Sequence, residues 1–235
     1  IGSAAVLQMD MKEAANIVTK ENARVAKVLG IKSSARCTTV KPAGTTSLVL
    51  GTSSGIHAWH NDYYVRRMRV GKNEAIYTYL SNKHPELIED EYFRPHDTAV
   101  ISVPQKAPAK SILRTESPFD TLERVKRVSR DWIKPGHRRG SNTHNVSATI
   151  SLKKDEWEKA GEWMWSNRDY YNGLSVLPYD GGTYTQAPFE DITEDKYKEM
   201  SKVLSDVDLT KVTETDDNTD LSGELACAGG SCEVV

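Results

Sequence analysis

Apolar residues recur at three-to-four spacing in some stretches of the chain and at every second position, or in short runs, in others, and the two kinds alternate. Asp10 to Leu29 reads as an amphipathic helix with Ala14, Val18, Val25 and Val28-Leu29 on its apolar face, capped by Asp10 and ended by Gly30. Glu74 to Leu80 reads as a short helix capped by Asn73. Ser117-Pro118 opens a better-marked helix, with Asp120 at capping-box spacing, Leu122, Val125, Val128 and Trp132 inward, and Pro135-Gly136 as the stop. Asp155 to Trp165 places Trp157, Ala160-Gly161 and Met164 inward, and Thr193 caps a last helix whose apolar face is Tyr197, Met200 and Leu204. Between these lie strands: the end of one at Thr38 to Val40, an alternating one at Tyr63 to Val70, and shorter ones at Ala99 to Val103, Val146 to Leu152 and Gly173 to Leu177, the last read as buried. Helices and strands in alternation predict an α/β architecture.

The stretch Thr38 to His57 carries the strongest chemical signal. Lys41-Pro42 stops the strand, because proline has no N–H for a ladder. Ala43-Gly44-Thr45-Thr46-Ser47 follows, a run of small residues whose backbone amides, with the hydroxyls of Thr45, Thr46 and Ser47, suit an anion. Gly44 permits close approach of a ligand to the main chain. Leu48, Val49 and Leu50 are expected to anchor a buried segment, and Thr52-Ser53-Ser54-Gly55 forms a second turn. By composition alone a tight turn between core elements with nothing bound is slightly favoured, because such turns are common, and the stretch lacks the Gly-Lys-Ser/Thr ending of a P-loop.

Other polar features are more ambiguous. Arg66, Arg67 and Arg69 lie in one strand, with Arg67 and Arg69 on the same face as candidate phosphate contacts; a solvated edge with salt bridges is the alternative. His57 and His60 make a weak metal case, and no metal site is expected. Cys37 reads as a small buried hydrophobe. The basic loop His137 to Asn145 is either a site at a strand entrance or a solvent loop. From Asp206 to Glu224 there are seven acidic residues and one lysine, so a flexible tether is expected, spanning about 25 Å on average. It leads to Cys227 and Cys232, separated by four small residues that let the sulfurs meet. A redox pair on an arm is favoured over an incidental pair or half of a zinc site, which would need about four ligands.

The bulk properties exclude several classes. The 235 residues carry 27% charged side chains and a net charge of −2, which gives no case for direct nucleic-acid binding. No apolar run approaches a membrane span and no signal peptide is visible, while three cysteines do not make a secreted disulfide scaffold; a cytoplasmic protein is expected. The chain starts with isoleucine in mid-pattern and is expected to be a C-terminal fragment, with residues 1–205 belonging to a catalytic domain and 206–235 forming the tail.

KPAGTTSLVLGTSSGIH, together with YYVRRMR at Tyr63 to Arg69 and the Cys-x4-Cys ending, resembles the adenosylcobalamin-dependent (class II) ribonucleoside-triphosphate reductases over most of the chain. The resemblance implies a fold: the C-terminal part of a ten-stranded α/β barrel built from two antiparallel half-barrels. It implies that Pro42, Ala43, Gly44, Thr45, Thr46 and Ser47 hold substrate phosphates. It implies thiyl-radical reduction of ribonucleoside triphosphates, with adenosylcobalamin as cofactor and thioredoxin as reductant. Cys227 and Cys232 would pass electrons to an active-site disulfide, and the enzyme would be a monomer or homodimer. The radical cysteine, its neighbouring asparagine and glutamate and the active-site cysteine pair of that family would all precede residue 1, and Cys37 matches none of them, so the chain alone is expected to be inactive. Two rivals stand beside this reading: the large subunit of a di-iron-dependent reductase, of which Tyr170-Tyr171 carries a superficial likeness, and a non-enzymatic anion-binding domain with a thiol tail.

Overall fold

The computed structural model describes residues 7–179, 181 and 184–214. Its regular elements in chain order are α1 (Met11–Val28), α2 (Gly44–Val49), β1 (Tyr63–Gly71), α3 (Ala75–Lys83), β2 (Ile88–Asp90), β3 (Thr98–Lys106) and α4 (Pro118–Val128). β4 (Thr149–Leu152), α5 (Trp157–Ser166), β5 (Ser175–Pro178), β6 (Phe189–Asp191) and α6 (Glu194–Ser205) follow. They form two compact units. One comprises the described residues up to Trp59 with Lys110–Tyr179; the other comprises His60–Ala109 with the described residues after Tyr179.

The first unit is built on a short parallel ladder. Val40 bridges Val146 in parallel, and β4 pairs with β5 in parallel from Thr149↔Ser175 to Leu152↔Pro178. Parallel neighbours need a crossover, and α5 supplies it. Val40, Ile56, Val146, Ile150 and Leu152 close on Leu122, Val125 and Val128 of α4 and on Ala160 of α5. α4 begins where its sequence says it should: Ser117 accepts from the Phe119 N–H at 3.2 Å, and Asp120 accepts from the Ser117 N–H at 3.1 Å. Past Val128 the helix widens into a π turn, Ser129–Ile133, before Pro135-Gly136.

Two expectations for this unit are corrected. α1 has its predicted cap, Asp10 accepting from the Glu13 N–H at 3.0 Å, but it buries Met11, Ala15 and Ala26, while Val28 and Leu29 face solvent. The small side chains let the helix lie close to its neighbours, and the branched ones point away. β5 is an exposed edge and not a buried strand: Leu177 is 40% exposed. A short apolar run does not distinguish the two.

The second unit holds an antiparallel sheet of order β2-β3-β1-β6, with β1 and β3 paired from Tyr63↔Lys106 to Gly71↔Thr98. β2 and β6 are three residues each, too short to show alternation, and were not expected. α3 starts one residue later than its predicted cap implies. Glu74 stands at the cap position, its carboxylate accepting from the Gly71 N–H at 2.7 Å, and Asn73 lies outside. Val70, Leu80, Leu87, Ala99 and Ile101 form the core, with Val203, Leu204 and Val207 packed against it.

The chain does not leave the fold at Asp206 as the tether reading expected. Val207 packs on the core, the Asp208 N–H donates to the Tyr79 hydroxyl at 3.0 Å, and Asp208 caps a turn at Leu209–Lys211. Residues 215–224 of that segment, and Cys227 and Cys232, lie outside the described residues. The α/β class holds, and no closed barrel is present among the described residues.

Removing the α4 cap should therefore be felt and removing the supposed α3 cap should not. Ser117→Ala should cost about 1 kcal/mol in urea denaturation, and Asn73→Ala less than about 0.5 kcal/mol.

Candidate phosphate-binding turn

Pro42 and Ala43 lead directly into α2, so the expected small-residue turn is the first turn of a six-residue helix. The N–H groups of Gly44, Thr45 and Thr46 have no acceptor within that helix. The Ser47 N–H returns to the Ala43 carbonyl at 3.3 Å, and its buried hydroxyl donates to the Gly44 carbonyl at 2.7 Å. Ser47 thus spends its donor on shaping the turn. A Cβ on Gly44 would meet nothing within 4 Å, so a side chain there fits the fold. Val49 and Leu50 are 79% and 67% exposed and do not anchor a buried segment, because the helical turn carries them outward.

The backbone that delivers the turn is clamped on both sides. The buried Thr38 hydroxyl donates to the Trp132 carbonyl at 2.7 Å, the Cys37 N–H donates to the Gly136 carbonyl at 2.9 Å, and the Trp132 indole donates to the Thr39 carbonyl at 3.2 Å. Any Cβ on residue 136 would overlap the Thr38 side chain, so glycine is required there. On the other side the Ser147 N–H donates to the Val40 carbonyl at 3.0 Å, the Lys41 ammonium donates to the Ser147 hydroxyl at 2.8 Å, and the Thr39 hydroxyl donates to the Asn145 carbonyl at 3.3 Å. The His144 imidazole lies 2.9 Å from the Thr38 carbonyl. The polar loop singled out at His137 to Asn145 is thus part of the clamp. Asn145 extends it by donating to the Gly173 carbonyl at 2.8 Å and accepting from the Asn172 N–H at 3.1 Å.

The second turn abuts the first. Gly55 has φ +59°, and a Cβ there would stand 2.8 Å from the Lys41 carbonyl oxygen and 3.2 Å from the Pro42 nitrogen. Next to it His57 is buried, with Nδ1 3.0 Å from the Ser54 carbonyl and Nε2 3.1 Å from the Thr149 N–H. Since an N–H can only donate, Nε2 accepts and Nδ1 carries the proton, which is the neutral imidazole. Burial holds its pKa below the usual 6.5 and the nearby Arg124 cation pushes the same way, against the opposing bond to Ser54. Arg124 is itself buried. It grips Glu116 with both terminal nitrogens and donates from Nη1 to the Ile56 carbonyl at 3.2 Å.

The candidate arginines belong to the second unit and are engaged there. Arg67 donates to Glu190 at 2.5 Å and to the Ala187 carbonyl at 3.1 Å, and its Nε lies 3.7 Å from Glu89. Arg69 reaches Glu91 at 3.4 Å; that buried carboxylate also accepts from the N–H groups of Phe93 and Arg94 at 2.8 and 2.7 Å. His60 lies 3.0 Å from Asp191 and stacks on Phe189. Among the described residues no group of His, Cys, Asp and Glu is gathered to hold a metal ion, and no helix is long and apolar enough to cross a membrane. Sequence reading took Thr38 only as a strand end and Gly136 only as a helix stop, and did not single out Arg124; their roles come from contacts about 70 to 100 residues apart in the chain.

No family model matches the chain. Curated relatives do. Adenosylcobalamin-dependent ribonucleoside-triphosphate reductase of Euglena gracilis is 28% identical over 230 residues, 94% of this chain and 30% of that protein. The protein of the same name from Lactobacillus acidophilus is 26% identical over 229 residues, 93% of this chain and 29% of its own length. The Lactobacillus leichmannii protein is 24% identical over 221 residues, covering 92% and 29%. The chain therefore spans about 30% of the length of the curated relatives it matches. A crystal structure of a B12-dependent (class II) ribonucleotide reductase shares the fold, with a TM-score of 0.68 and 24% identity over 86% of this chain and 28% of that one.

The lowered His57 pKa has a definite sign. Below about pH 6.5 the unfolded chain takes up a proton that the folded chain resists, so His57 contributes stability above that pH which is lost as pH falls toward its folded pKa. Urea denaturation between pH 7.5 and pH 5 should show a loss that is smaller in His57→Gln, which has no imidazole to titrate. Equal slopes would contradict the buried neutral imidazole.

Proposed function

We propose that this chain forms part of an adenosylcobalamin-dependent ribonucleoside-triphosphate reductase, in which the run Pro42 to Ser47 forms the turn for the substrate's phosphates, with the N–H groups of Gly44, Thr45 and Thr46 as donors and Ser47 shaping the turn. One observation carries the reading for the site: a turn clamped on both sides begins a helix whose first amides have no acceptor inside that helix, and a Cβ on Gly44 would meet nothing within 4 Å. The relatives' names support the cobalamin class over the di-iron class and over a non-enzymatic anion binder. Adenosylcobalamin would supply the radical. Arg67 and Arg69 are left to the sheet, because carboxylates already hold them. Cys227 and Cys232 would take electrons from thioredoxin and pass them by thiol–disulfide exchange to a disulfide elsewhere in the polypeptide.

In the complete reductase polypeptide, Gly44→Val adds a side chain beside the amides without colliding with the fold. Substrate KM should rise about tenfold or more, equivalent to about 1.4 kcal/mol, with thermal stability held. An unaltered KM would remove the phosphate assignment. Cys227→Ser or Cys232→Ser should still give one product equivalent from pre-reduced enzyme but lose thioredoxin-driven multiple turnover, and a small dithiol should restore it. Full thioredoxin-driven turnover in the serine variants would make the pair incidental.

A further inference from the structure

We infer that His57 and the Glu116–Arg124 pair, whose arginine is buried, are positioning residues for the phosphate turn, acting on it through Gly55. The inference rests on the phosphate reading above and names what sets the geometry of that site. Gly55 lies between two carbonyls, and a buried side chain holds each. The Ser54 carbonyl accepts from His57, from the ring at 3.0 Å and from the backbone N–H at 3.1 Å. The Ile56 carbonyl accepts from Arg124, whose own direction is fixed by Glu116. The far nitrogen of His57 takes the Thr149 N–H at the start of β4, so the ring is braced against the core ladder. Glu116 accepts further from the Thr121 hydroxyl at 2.9 Å, which ties the pair to α4.

The consequence is mechanical. Neither Ser54 nor Ile56 can shift without breaking a hydrogen bond to a buried side chain, so the α-carbon of Gly55 is held in place. That α-carbon faces the Lys41–Pro42 peptide with no room for a methyl group between them. The same peptide leads through Ala43 to the Gly44, Thr45 and Thr46 amides that are to meet the phosphates. Residue 55 is thus a stop against which the turn is seated, and interiors this tightly packed transmit small displacements. A shift of the peptide re-aims the amides, and hydrogen bonds weaken steeply with misalignment.

Two substitutions at residue 57 separate this role from simple stabilisation. Asparagine can place an amide nitrogen where Nδ1 stood and keep the bond to Ser54, losing Thr149. Glutamine can place its end group where Nε2 stood and keep Thr149, losing the ring's bond to Ser54. In the complete polypeptide, His57→Gln should raise the ribonucleoside-triphosphate KM about tenfold with kcat within about twofold. His57→Asn should raise it about twofold at most. Hydrogen exchange at the amides of residues 43–47 should quicken in the glutamine variant and far less in the asparagine variant. Gly55→Ala, if it folds, should behave as His57→Gln or worse. A KM that follows thermal stability alone, or equal KM values in the two residue-57 variants, overturns the positioning role while leaving the phosphate assignment to the Gly44→Val result. No KM change in Gly44→Val overturns both.

Discussion

The first unit depends on the approach of Gly55 to the Lys41–Pro42 peptide, where a Cβ would come to 2.8 Å of a carbonyl oxygen. Much of the unit serves that approach. α4 brings Arg124 beneath Ile56, β4 offers the Thr149 N–H to His57, and the capping box at Ser117 fixes where α4 begins relative to Glu116. Gly136 makes a second approach from the other side, against Thr38. Between the two glycines the segment that delivers the turn has little freedom, so its amides are arranged before any anion arrives. Preorganised donors avoid an ordering cost at binding.

The second unit uses its charges differently. Arg67 lies on the central strand β1 and reaches Glu89 on one edge strand and Glu190 on the other, so one guanidinium spans the sheet. Glu91 gathers two backbone N–H groups and Arg69, which shapes the turn after β2. Carboxylates in ion pairs of this kind cannot be vacated at no cost for a phosphate. The first unit is otherwise: the donors at the head of α2 have no acceptor within that helix, and a Cβ on Gly44 beside them would meet nothing within 4 Å.

Much of this was legible in the chain itself. The Ser117-Pro118 and Thr193 caps, the long strand at Tyr63 and the proline-stopped entry to the small-residue turn are all local signals. Local signals failed where tertiary contact decides. α1 faces the core with Ala15 and Ala26 because close packing rewards small residues, whereas periodicity favours the larger Val28 and Leu29. The edge strands Ile88–Asp90 and Phe189–Asp191 exist only because β3 and β1 offer them a ladder. Ser47 looked like a ligand donor and turned inward, since a helical turn brings its hydroxyl to the Gly44 carbonyl. His57 read as a weak metal candidate; the structure makes it a brace, which its two bonding partners reveal. Asp206 to Val212 read as tether by composition, yet Tyr79 and the α3 core give that segment somewhere to dock.

The central claim is that the amides opening α2 receive phosphate. Hydrogen exchange on the complete polypeptide, with a saturating ribonucleoside triphosphate and with the matching nucleoside that lacks phosphates, tests it most directly. The account predicts slowed exchange at Gly44, Thr45 and Thr46 with the triphosphate and little change with the nucleoside. Unchanged exchange at those three amides under saturating triphosphate would contradict it.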